Sequence, residues 1–262
     1  RVLKEQVLDD LPDKTHQIIE LPPTEDLKRE LDEEKRAYRL HSETRAKLKK
    51  LRESATEAGG KEKHAEEVER LKDGLSVAFA EMSKVRAKIA ELKAPFVIEH
   101  LLSLIEAEPD RKLVVFCWHK SLLGSVLEAL EQAKIKAVSI HGGTPMDDRQ
   151  KAVDDFQTGD AMVFVGNIIA AGTGITLTAS STCVFLEQDW TPGNLSQASD
   201  RCHRIGQKNN VLIQYLIMEN SLDSTMAKRI GEKQANIDKA LDATPEPEPQ
   251  KQEPERELDL QI

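Results

Sequence analysis

Aromatic residues are scarce in this chain, with two Trp, two Tyr and six Phe among 262 residues. Its core must therefore come from Val, Leu, Ile and Ala, the composition of parallel strands covered by helices on both faces. Cysteine is rarer still. Cys117, Cys183 and Cys202 are widely spaced and form no CxxC pair, which argues against a disulfide framework or a zinc site and for reduced, mostly buried thiols. No stretch approaches the roughly 18 consecutive apolar residues of a membrane span, and Arg1 opens no signal peptide. A soluble, intracellular protein with no membrane partner is expected. The chain starts in mid-pattern without Met, as a piece of a longer protein does. Positive charge is also in deficit: the net charge of -9 argues against a uniformly basic nucleic-acid coat, although an acidic protein can still carry a local positive groove. Much of the excess lies in residues 244–262, where six acids (Glu246, Glu248, Glu253, Glu255, Glu257 and Asp259) face only Lys251 and Arg256.

What is present falls into four textures. Residues 1–23 form a short lead in which "HQIIEL" has strand character and Pro22 and Pro23 end it. From Thr24 the composition shifts to charged residues with Leu and Ala, and Gly59 and Gly60 divide the run. In its second half Val68, Leu71, Leu75, Ala78, Met82, Val85, Ile89 and Leu92 recur at alternating gaps of three and four, a heptad seam that predicts an antiparallel helical hairpin. Sixteen acids and eighteen bases are mixed between Thr24 and Pro95, the pattern of a solvated face. His41 and His64 sit in that mixture as surface residues without spaced ligand partners.

Beyond Pro95, short apolar runs alternate with helical stretches: "KLVVFCW" (112–118), "KAVSI" (136–140), "AMVFVG" (161–166), "STCVFLE" (181–187) and "NVLIQYLI" (210–217). Strands separated by helices imply parallel β-α-β units with right-handed crossovers. Ligand chemistry in such sheets gathers in the loops at the carboxyl ends of the strands. A last helix is expected from Ser221 to about Leu241, followed by a Pro- and Glu-rich tail that cannot build a core and reads as disordered.

Four strand ends carry polar or glycine-rich loops: "WHKS" (118–121), "HGGTPMDDR" (141–149), "NIIAAGTGITL" (167–177) and "DWTPGNLSQASDRCHRIGQ" (189–207). Glycines let backbone amides approach an anion, and hydroxyls add donors. No Lys-Ser or Lys-Thr follows the glycines as a Walker A loop requires, and no GxGxxG is present there. Nor does an Asp-Glu pair end a strand as a magnesium site. This chain should not bind and hydrolyse a nucleotide alone. In the last loop Arg201 and Arg204 stand three apart, on one face if the segment is helical, with Gln197 a turn before. Two adjacent guanidiniums repel unless an anion joins them, and their planar forks suit phosphate oxygens. The plainer alternative is a salt bridge to Asp200 or Glu187.

These loops in this order resemble the C-terminal RecA-like lobe of superfamily 2 helicases, specifically the Swi/Snf-type DNA translocases. "LVVFCWH" looks like motif IV, "HGGTPMDDRQKAVDDFQ" like the block after it and "VGNIIAAGTGITLTAS" like motif V. "QASDRCHRIGQ" is similar to the Swi/Snf form of motif VI. Glu187, Trp190, Pro192 and Gly193 match the annealing-helicase-like subfamily. The resemblance implies an α/β fold, a RecA-like parallel sheet flanked by helices with an α-helical hairpin insertion. It divides the chain into an inter-lobe connector (1–23), a hairpin protrusion (24–95), the helicase C-terminal lobe (96–241) and a disordered acidic tail (242–262).

The resemblance further implies the second motor lobe of an ATP-dependent double-stranded-DNA translocase of the remodelling or annealing type. Arg204 matches the arginine finger and Arg201 its companion, both directed at the γ-phosphate of ATP. Gln197, Gly172 and Gly174 match positions near the nucleotide. His119, Lys120, Gly142, Gly143, Thr144, Asn167 and Ala170 match positions on the DNA backbone. Asn167, Ile168 and Ile169 depart from the Ser/Thr and Lys often found in motif V. ATP and Mg2+ would be held mainly by an N-terminal RecA-like lobe outside this chain, and the other partner would be duplex or branched DNA. An RNA-directed helicase lobe, or a non-catalytic module whose hairpin or tail recruits a protein, are the alternatives. A bacterial cytoplasm, with association to the nucleoid, is favoured over a nucleus because no nuclear-import run of Lys and Arg is visible.

Overall fold

The computed structural model describes residues 11–54 and 61–227. Six strands form one wholly parallel sheet in the order β1-β6-β5-β2-β4-β3. They are β1 (Lys14–Leu21), β2 (Leu113–Cys117), β3 (Ala137–Ile140), β4 (Val163–Asn167), β5 (Thr182–Phe185) and β6 (Val211–Met218). The helices are α1 (Glu25–Ser54), α2 (Lys61–Ala107), α3 (Lys120–Gln132), α4 (Met146–Thr158), the single turn α5 (Ile168–Ala171) and α6 (Pro192–Ser199). All five apolar runs read as strands beyond Pro95 are strands, and "HQIIEL" lies within β1, at the sheet edge beside β6.

Side-chain alternation along the strands sorts two cores. Val114, Phe116, Phe164, Cys183, Phe185, Ile213 and Tyr215 meet Val153 and Phe156 of α4 and Leu195 and Ala198 of α6. Leu113, Val115, Cys117, Val163, Val165, Val184 and Leu216 face the other way, against Val97 and Leu101 of α2 and Leu122, Val126 and Leu130 of α3. Each such fully buried side chain stabilises the fold by about 1.5–3 kcal/mol. The three cysteines are free and buried within these layers.

The charged region forms two long helices. Thr24 caps α1, its hydroxyl accepting from Leu27 N. The α2 seam turns inward, with Ala78, Met82 and Ile89 buried and Val68, Leu71, Leu75, Val85 and Leu92 half-buried. Glu30 pairs with Lys88 and His41 packs on Phe79, so the helices run antiparallel. Leu27, Leu31, Ile89 and Met218 pack the base of the hairpin onto the sheet. The second helix runs through Pro95 without ending. Pro95 and Glu91 are both exposed, so the Glu91 carbonyl left without an amide partner faces water.

The solvated-face reading of this charge mixture needs correction at the base. Glu34, Arg86 and Lys93 are buried; Arg86 and Lys93 pair with Asp223 after β6, and Arg86 also pairs with Glu34. The expected last helix begins at Leu222. Its course past Ala227, like the acidic tail, the first ten residues and the side chain of His64, lies outside the described residues.

Candidate functional site

Because every strand is parallel, the loops after β2, β3, β4 and β5 leave from one edge of the sheet. Internal hydrogen bonds fasten each loop to the next. After β2, the backbone amides of Trp118 and His119 donate to Glu187 Oε2, both at 2.8 Å, and His119 Nδ1–H donates to Oε1 at 2.6 Å. Glu187 is 2 % exposed. Burial would raise its carboxyl, but the His119 hydrogen bond, the Lys93 and His119 charges and the His119 amide hold it down at about 2. Asn167, at the end of β4, gives Nδ2–H to Trp118 O at 2.7 Å, while Oδ1 accepts from Ile169 N and Ala170 N and caps α5.

The loop after β3 is tied down by a residue that the sequence did not single out. Arg149 donates to Thr144 O, His141 O and Ala170 O, joining this loop to α5. The Thr144 hydroxyl accepts from His141 N and closes the turn. Gly142 and Gly143 both have negative φ, and a Cβ on Gly142 would meet open space, so the backbone does not require glycine there. Gly172 and Gly174 differ. A Cβ on Gly172 would stand 2.4 Å from Ile168 O, and Gly174 has φ +76°.

The last loop brings the two arginines to the loop after β4. Helix α6 ends at Ser199, so Arg201 and Arg204 do not share a helical face; they lie in successive turns. Arg201 O accepts from Leu177 N at 2.9 Å, a tertiary bond that replaces helical continuation. Arg201 Nε donates to Gln197 O at 3.0 Å and Nη1 to Ile175 O at 3.3 Å. Arg204 is exposed, and Nη1 donates to Thr176 Oγ1 at 3.4 Å. Neither guanidinium has a carboxylate partner among the described residues: Asp200 pairs with Lys14 at 3.2 Å, and Glu187 is committed to His119. Gln197 and Lys120 are exposed.

The model of the helicase conserved C-terminal domain matches residues 96–206, from α2 through the turn that carries Arg204. Residues 96–206 are thus similar to a helicase C-terminal domain. The SWI/SNF-related matrix-associated actin-dependent regulator of chromatin subfamily A-like protein 1 homolog of Caenorhabditis elegans is 41% identical over 145 residues, 54% of this chain and 21% of that protein. The DNA annealing helicase and endonuclease ZRANB3 of Mus musculus is 36% identical over 166 residues, 63% of this chain and 15% of that protein. The chain thus spans about a fifth or less of these homologues. The crystal structure of the C-terminal part of the Fun30 ATPase domain superposes with a TM-score of 0.55 at 19% identity, covering 83% of this chain and 89% of that one. It shares the RecA-like fold of this chain.

One more group borders the site, around the Trp190 already singled out in the sequence. Trp190, at the start of the last loop, lies between Tyr38 of α1, stacked at 6.1 Å, and the Arg86 guanidinium, 4.5 Å from its ring centroid. The Asp189 carboxylate accepts from Thr191 N and Asn194 Nδ2, tying this corner to α6. Arg86 had counted as one of many solvated charges; its burial comes from tertiary placement that no local pattern encodes.

Proposed function

We propose that this chain is the second motor lobe of an ATP-dependent double-stranded-DNA translocase. In this reading Arg204 and Arg201 complete a nucleotide cleft whose other wall, with the ATP and magnesium ligands, lies on another RecA-like lobe. The observation that carries it is the guanidinium pair on the carboxyl edge of the sheet, held to Thr176 and Ile175 with no carboxylate among the described residues to neutralise it. An uncompensated, partly exposed pair of this kind suits a polyanion. Half of a two-walled cleft is a surface, and a hollow of about 1590 Å³ lies elsewhere, between hairpin and lobe.

In this reading the magnesium ligands lie mainly on the other lobe; among the described residues no group of three or more His, Cys, Asp or Glu could hold a metal ion. Bound ATP supplies the phosphoryl group to be transferred. Arg204 acts on the charge that spreads over that group, with Arg201 and Gln197 beside it. Such fingers contribute on the order of 10³ to 10⁵ in rate. On the DNA side, Lys120, Gly142 and Gly143 take backbone phosphates. His119, Asn167, Thr144 and Ala170, whose polar groups are internally bonded, hold those loops in shape. Because an arginine supplied across a cleft acts only on closure, hydrolysis is coupled to lobe movement along the duplex. Chromatin in the names of the animal relatives supports a nucleus over a bacterial cytoplasm.

Arg204→Ala in the complete enzyme is expected to lower DNA-stimulated hydrolysis by at least about 10³-fold while ATP binding is largely retained. Near-normal turnover would overturn the reading, and stimulation by structured RNA in place of duplex DNA would redirect it.

A further inference from the structure

We propose that Arg86, at the base of the hairpin, is a positioning residue that holds the β5–α6 corner, and through it Arg201 and Arg204, in place. The consequence for turnover rests on the motor reading above; the positioning itself does not. Arg86 is 5% exposed and grips the corner in several ways at once. Its Nη2 donates to Gln188 O at 2.9 Å and to Asp223 Oδ1 at 2.7 Å. Nε lies 3.7 Å from Glu34 Oε1, and the guanidinium faces Trp190. Tyr38 covers Trp190 as well, so both hairpin helices hold the same indole.

From this grip the linkage continues without a gap. Asp189 ties the corner to Thr191 and Asn194, α6 carries Gln197, and Gln197 O receives Arg201 Nε. One residue before Gln188, Glu187 fixes the end of β2. The hairpin base therefore touches the segment that leads directly to the proposed finger.

Stability alone is a poor explanation for this cluster. Arg86 Nη1 and both amide atoms of Gln188 are buried without hydrogen-bond partners among the described residues, and a buried multi-charge cluster is commonly no more stabilising than well-packed apolar residues. What a guanidinium supplies, and neither an ammonium nor an aliphatic chain can, is a planar fork that meets a carbonyl, a carboxylate and an aromatic face together. Lysine at this position keeps the charge and loses that geometry.

The test pairs a spectroscopic with a kinetic readout. In the full 262-residue chain carrying Trp118→Phe, Trp190 is the only tryptophan. Adding Arg86→Lys is expected to shift its emission and to speed amide exchange in α6; unchanged emission and exchange overturn the proposal. In the complete enzyme, Arg86→Lys is expected to lower kcat for DNA-stimulated hydrolysis ten-fold or more, with KM for ATP within two-fold. A kcat within two-fold of wild type, alongside an inactive Arg204→Ala, overturns this inference and leaves the motor reading standing. A fully active Arg204→Ala overturns the motor reading, and Trp190 emission with α6 exchange then decides the positioning role. Should Arg86→Lys not fold, Trp190→Leu removes only the aromatic face of the grip and is expected to lower kcat at least three-fold; an unchanged kcat overturns the proposal.

Discussion

His119 Nδ1 lies 2.6 Å from Glu187 Oε1, and the same carboxylate takes the two backbone amides at the end of β2. The pair joins two neighbouring strands at the edge where the loops gather. Glu187→Gln presents an NH2 group to a site built of donors, and is expected to destabilise the fold by about 3 kcal/mol. Because the folded carboxyl is held at about 2, its contribution is full above the ordinary carboxylate range and lost as pH falls from about 4.5 toward 2. Urea unfolding at pH 7, 4 and 3 checks both points: the variant should be weaker at neutrality and show a shallower acid limb.

Glu34 behaves in the opposite sense. Burial, with Asp223 beside it, raises its carboxyl to about 7, against the opposing pull of the Leu222 amide, Arg86 and Lys93. A raised acid favours the fold while protonated, so its contribution is full below about 4.5 and lost as pH rises through 7. The shift corresponds to about 3 kcal/mol. Glu34→Gln retains an oxygen for the Leu222 amide and removes the titration. Its stability should change less than that of the wild type between pH 5 and 8, a window that does not overlap that of Glu187.

The sheet and the hairpin were legible because each rests on a periodic burial pattern. Leu113–Cys117 is buried at every position, and the α2 seam turns inward at its three- and four-residue gaps. The loops of the edge were legible as polar and glycine-rich segments, but their internal wiring was not. Asn167 and His119 read as ligand contacts, yet their side chains serve Trp118, α5 and Glu187. The shared helical face of Arg201 and Arg204 failed because Leu177 N, distant in sequence, captures Arg201 O. Arg86 and Arg149 were invisible for one reason: a charged side chain looks the same in a sequence whether it faces water or gathers buried carbonyls.

The two glycine pairs should separate under substitution. Gly172→Ala meets Ile168 O at 2.4 Å, and Gly174→Ala is strained by φ +76°, so each is expected to lower stability by about 1–2 kcal/mol or more. Gly142→Ala has open space and negative φ and should stay within about 0.5 kcal/mol of wild type. Thermal unfolding of the three variants orders them. If backbone phosphates approach Gly142 closely, the same Gly142→Ala change should weaken duplex-DNA affinity in the complete enzyme at unchanged stability, and equal affinity would remove that position from the interface.

Pro95 offers a test of how hairpin and lobe share one helix. It sits within α2 between buried Ala94 and Val97, and it denies the Glu91 carbonyl its helical partner. Proline in a helix interior costs about 3 kcal/mol relative to alanine, a penalty that solvation of the exposed carbonyl offsets in part. Pro95→Ala is therefore expected to raise stability by about 1–3 kcal/mol, read as a higher urea midpoint at unchanged slope. A loss of stability would instead mean that Val97 and Leu101 reach the β2 layer only because proline sets the local path of the helix. In that case the base of the hairpin, Arg86 included, is aimed at Trp190 by the same residue.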